Sequence, residues 1–512
     1  MSLNYLIDLG NIKPGKIIKK CKMGNQAKNI FTLPFRIIRF VLVFLFKGKV
    51  LRKTEGAKFS NSREYSQYLN SRNKGILLDG QDLCLTEKES YQNVCVIARV
   101  GAGKTTRYVV PNVLNRAKQN CSIVVNDPKG EVYELTSGIL KDRGYNIIVI
   151  DPENIDRSSS FNPFMEAKDE IELEQIAEIL VKSGNTDKSD SFWNNGAIRF
   201  VSVFMKCLKN AGSEDPAYFT LANLYYLFQN FGNDGSKLDD WMARYSINPD
   251  DNEDSRLWDE WKGVLTGNEE GVQSFVLNAI TALKALSNQN IALLTSKSDF
   301  SLDRIRDEKT IIYFITPPQH AEYYSFLTSI FFRSVFNSCM RKMPTRKTLP
   351  VYVLYDEFGH STIPNFVSTA NTIRGYKVSL SIILQSIAQL NARYGRDYAY
   401  SIQGGFNTYL AYSGSDPESS LFFERIIGKQ RITQLPNNMQ HFVESYREQN
   451  LMNSNEVRTM DSNQVLIVTT NKNPILIESL PFFEVRKYKK MTLRGVHKVT
   501  STVTNKIKHI KL

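Results

Sequence analysis

The sequence is poor in the residues that hold metals and disulfides. Its 512 residues include five histidines and six cysteines, Cys21, Cys84, Cys95, Cys121, Cys207 and Cys339. No two of the cysteines stand at metal-ligand spacing, and most lie in apolar stretches. That argues against a structural zinc site and a disulfide framework, and for buried thiols in a reducing cytosol. Long apolar runs are also missing. The most apolar stretch, Ile30 to Phe46, is interrupted by Thr32, Pro34, Arg36 and Arg39, and its unbroken run is only Phe40–Phe46. A spanning helix needs about 20 mostly apolar residues, and an arginine near the bilayer centre costs a few kcal/mol. No secretory leader is expected either, since the start carries Asp8 and lacks a small-residue cleavage pattern. With 42% hydrophobic and 23% charged residues, the composition is that of an ordinary globular protein. A disordered tail protein, a fibre and a polytopic membrane protein are excluded, and the length allows two to four domains.

Acidic residues are scarce at both ends. The first 60 residues hold a net charge of +11 and residues 486–512 hold +9, so the body between them carries −7 out of a total of +13. Such ends suit anionic lipid or nucleic acid, the alternative being a solvated tail. In the first segment an aromatic and aliphatic body is flanked by Lys13, Lys16, Lys19, Lys20, Lys22, Lys28, Lys47, Lys49, Arg52 and Lys53, the pattern of an interfacial helix. A helix packed on the protein's own body, or a short spanning segment, is the competing reading.

From about residue 75 apolar strands alternate with helical stretches. Asn93–Ile97 leads into Ala98-Arg-Val-Gly-Ala-Gly-Lys-Thr105 and then an apolar helix. Strand, glycine loop and helix match the phosphate-binding template G-x-x-x-x-G-K-[ST], with Ala98 in place of the first glycine. In such a loop, Ala98, Arg99, Val100, Gly101, Ala102, Gly103, Lys104, Thr105 and Thr106 form the nucleotide-binding stretch. Backbone N–H groups turn toward phosphate oxygens, which demands unusual dihedrals at Gly101 and Gly103, and the helix N-terminus faces the same phosphates. Lys104 supplies a point charge and the Thr105 hydroxyl a Mg²⁺ ligand. Ala98 is compatible with this provided its φ is negative.

A second element is needed to complete the chemistry. Pro350-Val-Tyr-Val-Leu-Tyr-Asp-Glu-Phe-Gly-His360 reads as a buried strand with acids at its end. Asp356 is placed in the Mg²⁺ shell, and Glu357 is placed to orient and deprotonate water. The strand from Lys377 to Leu384 ends at Gln385, whose amide is placed to contact the γ-phosphate. Arg374, just before it, is a candidate arginine finger acting in trans on a neighbouring subunit, although a plain surface arginine is the commoner outcome. Further strands are expected at Ser122–Asn126, Asn146–Ile150, Thr310–Ile315, Thr408–Tyr412 and Val465–Val468, giving a mostly parallel sheet covered on both faces. Asn471-Lys472-Asn473-Pro474 lacks the Asp of the guanine-reading motif, so the expected cofactors are ATP and Mg²⁺.

Lys104 and Asp356 lie far apart in the chain. Residues 186–298 between them look helical, with apolar stripes over Ile198, Val201, Met205 and Leu208 and over Val272, Phe275, Val276, Ala279, Ile280, Leu283 and Leu286. Thr220 is a candidate cap. Asn233–Glu270 looks like an acidic loop.

The ordered set of motifs resembles the coupling proteins of type IV secretion systems, conjugation ATPases related to RecA-like DNA pumps. It rests on the glycine loop running into Arg107-Tyr-Val-Val-Pro-Asn-Val-Leu114, on Asn126-Asp-Pro-Lys-Gly-Glu131, on Phe161-Asn-Pro-Phe164 and Phe192-Trp-Asn-Asn-Gly-Ala197, and on Tyr355–Gly359 and Leu384-Gln-Ser-Ile-Ala-Gln-Leu390. The resemblance spans roughly 75–485. It implies a RecA-like P-loop α/β sheet, built from 75–185 and 299–485, with an inserted all-α domain over 186–298. The basic segment 1–60 and a basic tail 486–512 flank it. It also implies an ATP-hydrolysing ring, a homo-hexamer at the inner face of the cell membrane. Its partners are single-stranded DNA with bound relaxase, the secretion channel proteins, and a membrane surface or a separate membrane-anchor protein. Lys104, Thr105, Asp356, Glu357 and Gln385 take the family's site roles, with Arg374 as the finger. The family's pair of N-terminal spanning helices is not evident, which favours peripheral attachment. A recruitment adaptor that binds ATP without motor activity, a double-stranded DNA translocase and a P-loop enzyme unrelated to DNA are the rival functions.

Overall fold

The computed structural model describes residues 54–184, 191–232, 234–246, 255–434, 445–503 and 506–512. The interfacial helix expected before residue 54 therefore lies outside the described residues, as do Cys21, Asp250, Asp251, Glu253 and Asp254. The described chain falls into two units. One comprises 54–58 and Ile427–Leu451, where strands Thr54–Gly56, Lys429–Gln434 and Ser445–Asn450 form a small antiparallel sheet. The other comprises Phe59–Ile426 and Met452–Leu512 and carries everything below.

Its centre is a sheet of nine strands: β1 (Val94–Ile97), β2 (Ser122–Asn126), β3 (Asn146–Ile150), β4 (Thr310–Phe314), β5 (Val351–Tyr355), β6 (Val378–Leu384), β7 (Thr408–Tyr412), β8 (Gln464–Thr469) and β9 (Ile475–Glu478). The spatial order is β9-β8-β7-β1-β6-β5-β2-β4-β3. From β7 to β3 every pairing is parallel, and β8 and β9 add an antiparallel edge. The parallel strands are apolar on both faces because helices cover both, and β1, β2, β4, β5, β6 and β7 are buried along their whole length. β9 and the small antiparallel sheet have no counterpart among the expected strands. Their short or alternating sequences lack the continuous apolar runs of the central strands.

Helices α1 (Val110–Arg116) and α2 (Glu131–Asp142) follow β1 and β2. The turn before α1, Thr105–Val109, is π-helical. Pro111 offers no N–H to Arg107 and its ring crowds that carbonyl, so a widened turn is the natural relief.

Between β3 and β4 the described chain is helical: α3 (Glu170–Gly184), α4 (Ser191–Glu214), α5 (Leu221–Gln229), α6 (Asp239–Tyr245), α7 (Arg256–Val264), α8 (Glu269–Ala282) and α9 (Gln289–Leu294). The helical run begins at Glu170 rather than 186, and α3 packs on α4 and α8. Val201, Met205, Leu208, Val272, Val276, Ala279, Leu283 and Leu286 are buried, and Thr220 caps α5 by accepting the Asn223 N–H. The acidic stretch from Asn233 to Glu270 is not the expected loop. It contains α6 and α7, whose Trp241, Met242, Trp261 and Val264 are buried, with the Trp261 indole donating to Asp239 at 3.0 Å. The acids between these residues masked their helical spacing.

Later helices are α10 (Ser325–Met340), α11 (Phe366–Thr372), α12 (Ile387–Tyr394), α13 (Arg396–Gln403), α14 (Pro417–Ile427) and α15 (Arg486–Thr492). The described part of 486–512 is not a free tail. α15 packs on α2, and the chain beyond it follows α2, with Tyr133 donating to the His497 carbonyl at 2.6 Å and the His497 N–H donating to Ser137 at 3.0 Å. It then reaches the helical layer, where Asn223 donates to the Lys508 carbonyl at 3.0 Å, Lys508 pairs with Asp215, and Ile510 is buried. Part of the basic charge therefore neutralises acids of the same chain. Cys84, Cys95, Cys121, Cys207 and Cys339 are buried free thiols. Among the described residues no helix is long and apolar enough to cross a membrane.

Candidate functional site

Parallel register brings the candidate residues to one edge. Ile97 of β1 pairs with Leu384 of β6, Ile382 of β6 with Tyr355 of β5, and Tyr355 with Asn126 of β2. The residues that follow these strand ends, Ala98, Gln385, Asp356 and Asp127, therefore line the carboxyl edge, where open α/β sheets bind ligands.

Ala98 continues the ladder, its N–H donating to the Leu384 carbonyl at 3.0 Å, and its φ is not positive. The first glycine of the template is therefore dispensable here. Gly101 (φ 81°) and Gly103 (φ 82°) do take the left-handed conformation that the loop requires. Arg99 lies over Gly414 at the end of β7, Val100 is exposed, Ala102 closes a turn onto the Arg99 carbonyl, and Thr106 donates to the Gly103 carbonyl at 3.1 Å.

The loop meets the acids. The Lys104 ammonium contacts Glu357 and lies 3.4 Å from Asp356. The Thr105 hydroxyl is 3.4 Å from the other Asp356 oxygen, and the Gln385 amide donates to Glu357 at 2.8 Å. Successive residues of a strand point to opposite faces, so two adjacent acids would normally diverge. Glu357 instead has φ 54° and ψ 42°, which turns the chain and lets both carboxylates reach Lys104. A left-handed non-glycine residue costs roughly 1–2 kcal/mol, so the neighbours must hold it. Asn126 does part of this by donating to the Asp356 carbonyl at 2.6 Å. His360 also approaches Glu357, at 3.5 Å. Asn126 and His360 have no role in the linear motifs: Asn126 acts across strands, and His360 comes near Glu357 at a turn whose left-handed residue the sequence does not announce.

The two acids titrate in opposite directions. Burial pushes Asp356 up, with Lys104 opposing and Glu357 adding to the rise. Burial also acts to raise Glu357, but His360, Lys104 and Gln385 outweigh it and hold the carboxyl down to about 2. Asp127, buried at the end of β2, is pushed up to about 7 by burial despite the hydrogen bond from the Tyr133 N–H.

The donors fit a magnesium ion. A hydroxyl and a carboxylate oxygen face each other at 3.4 Å, both hard ligands, and Mg²⁺ takes only one or two protein ligands beside phosphate and water. Among the described residues no group of three or more His, Cys, Asp or Glu could hold a metal unaided.

Two other candidates lie elsewhere. Arg374 is exposed on a turn before β6, a strand length of about 20 Å from Gln385, so it is not part of the site in its own chain. Asn471–Pro474 forms the turn between β8 and β9. Antiparallel pairing of β8 with β7 puts that turn at the opposite end of the sheet, where it cannot read a base.

Sheet order, glycine loop and acid pair define a RecA-like P-loop fold of the nucleotide-binding class. The chain belongs to the type IV secretory system conjugative DNA transfer family, which it matches over residues 47–508. It is 24% identical over 414 residues to protein VirD4 of Rhizobium radiobacter, covering 77% of this chain and 58% of that one. To the conjugal transfer protein TraG of Escherichia coli it is 23% identical over 358 residues, covering 66% and 55%. The chain thus spans little more than half the length of these relatives. Among solved structures, the unbound bacterial conjugative coupling protein TrwB superposes with a TM-score of 0.66 at 13% identity, covering 89% of this chain and 96% of that one. TrwB in complex with ADP and Mg²⁺ gives the same TM-score and identity, covering 84% and 95%.

Proposed function

We propose that this chain is the ATP-hydrolysing coupling protein of a conjugation system, linking a relaxase–DNA complex to the transfer channel and driving single-stranded DNA through it. The observation that carries the reading is the meeting of Lys104 with Asp356 and Glu357, residues far apart in sequence. TrwB has been solved with ADP and Mg²⁺, which supports the same nucleotide and metal here, and relatives named for conjugal transfer support the DNA-transfer role.

Gly101, Gly103 and the π-helical turn turn N–H groups and Lys104 toward a triphosphate. Thr105 and Asp356 would hold Mg²⁺, which neutralises charge on the β- and γ-phosphates. Glu357, ionised at neutral pH, accepts a proton from the attacking water as the bond between the γ-phosphorus and its bridging oxygen breaks, giving ADP and phosphate. Gln385 holds Glu357 by its amide and, from the same strand end, would contact the γ-phosphate. Arg374 is left for the nucleotide of a neighbouring copy in a homo-hexamer. In this reading 75–185 and 299–485 form the motor domain, the helical layer meets the substrate, and the assembly sits peripherally at the inner face of the cell membrane, on lipid or on an anchor protein.

The test is ATPase activity with and without DNA, alongside mating. Lys104→Ala and Glu357→Gln should abolish turnover and transfer together. Transfer that survives without ATPase would make the chain an adaptor. Preference for duplex over single strands across salt concentrations would make it a double-stranded DNA translocase.

A further inference from the structure

Gln389 stands three residues after Ser386, the cap of α12, whose hydroxyl accepts the Gln389 N–H at 3.3 Å. In a capping box the side chain of such a Gln returns to the cap's own N–H. Here it does not. Its Oε1 accepts the backbone N–H of Gln385 at 3.0 Å, the residue whose amide holds Glu357. The same side chain lies against Gly359, two residues beyond Glu357. A Cβ on Gly359 would stand 2.9, 3.0 and 3.1 Å from the Gln389 Oε1, Cδ and Cβ. Arg393, one turn further along α12, donates to the Gly359 carbonyl at 2.8 Å. One side chain therefore touches both the end of β6 and the turn after β5.

We propose that Gln389 is a positioning residue that holds Gln385 and the Glu357-bearing turn in register, so that amide and carboxylate stay aligned during hydrolysis. This rests on the ATPase reading. Glu357 sits in a left-handed conformation that its surroundings must maintain, and Gln389 supplies a brace whose hydrogen bonds go to Gln385 and Ser386 and not to Lys104, Thr105 or Asp356. The glycine at 359 is explained as well: it leaves the room that the Gln389 side chain fills.

The experiment uses the full chain and measures kcat and KM for ATP, with thermal melting of each variant. Gln389→Met, which keeps the length and removes the acceptor, should lower kcat about 10- to 100-fold, the scale of a small misplacement of reacting groups, with KM within about twofold of wild type. Gln389→Glu restores an acceptor and should recover most of the turnover. Gly359→Ala by itself should lower kcat, and adding Gln389→Ala should cost little more, because the second change removes the Oε1 and Cδ that the new methyl meets most closely and leaves only the Cβ at 3.1 Å. Wild-type kcat in Gln389→Met, or losses that multiply in the double variant, would overturn the proposal. A wild type that hydrolyses no ATP would sink the ATPase reading instead; the same cycle read in melting temperature then decides the contact, additive shifts overturning it.

Discussion

Gly138 offers a test in which two established effects oppose each other. It lies inside α2, where replacing glycine by alanine ordinarily stabilises a helix by about 0.5–1 kcal/mol. A Cβ here, however, would stand 2.0 Å from the Gly495 carbonyl oxygen. That partner is backbone and cannot rotate away, so the C-terminal segment must move outward by more than 1 Å to reach ordinary contact. Displacement breaks the two hydrogen bonds flanking the contact, Tyr133 to the His497 carbonyl and the His497 N–H to Ser137. At about 1 kcal/mol each, they outweigh the helix gain by roughly 1 kcal/mol. Gly138→Ala is therefore expected to loosen the C-terminal segment while leaving the sheet intact. Hydrogen exchange read by mass spectrometry should show amides around 495–503 exchanging about 5- to 30-fold faster, the factor that corresponds to 1–2 kcal/mol, with β1, β5 and β6 unchanged. Unchanged protection at 495–503 together with a raised melting temperature would refute the reasoning.

Glu357, held down to about 2 by His360, Lys104 and Gln385 in the nucleotide-free protein, is ionised throughout the usable pH range, so kcat/KM, which reads the free enzyme, should show no acid limb from this group above about pH 4; an acid limb near 6 that survives Asp127→Asn would count against Glu357 as the base. Its lowered value contributes stability present above the unfolded carboxylate range and lost as pH falls toward 2, while Asp356, shifted upward, opposes it. Arg116 is fully buried, donates through two nitrogens to the Lys74 and Gly75 carbonyls, and stacks 4.6 Å above the Tyr352 ring. Lysine cannot make the forked contact, so Arg116→Lys should lower stability by about 2–4 kcal/mol, read as a fall in melting temperature; an unchanged melt would show that the fork carries no energy.

The phosphate loop and the acid strand were legible because each is local. Glycines at fixed offsets, a lysine and a threonine at a helix start, and an apolar run ending in two acids mean the same wherever they occur. The central strands were legible for a related reason: burial on both faces forces continuous apolar runs, which stand out from any neighbour. The helices α6 and α7 were hidden, since their tryptophans are spaced among acids whose charge reads as loop.

Sequence alone determined which groups this protein has for binding a triphosphate, because glycine, lysine, hydroxyl and carboxylate bring their chemistry with them. Tertiary structure alone decided which of them meet. Strand order carries Asp356 and Glu357 to Lys104 and leaves Arg374 at the far end of the sheet, the turn at Glu357 converges the two acids, and Gln389 reaches Gln385 instead of its own cap. The physical reason is that register and backbone turn fix side-chain direction through contacts between segments hundreds of residues apart, and no local pattern encodes those.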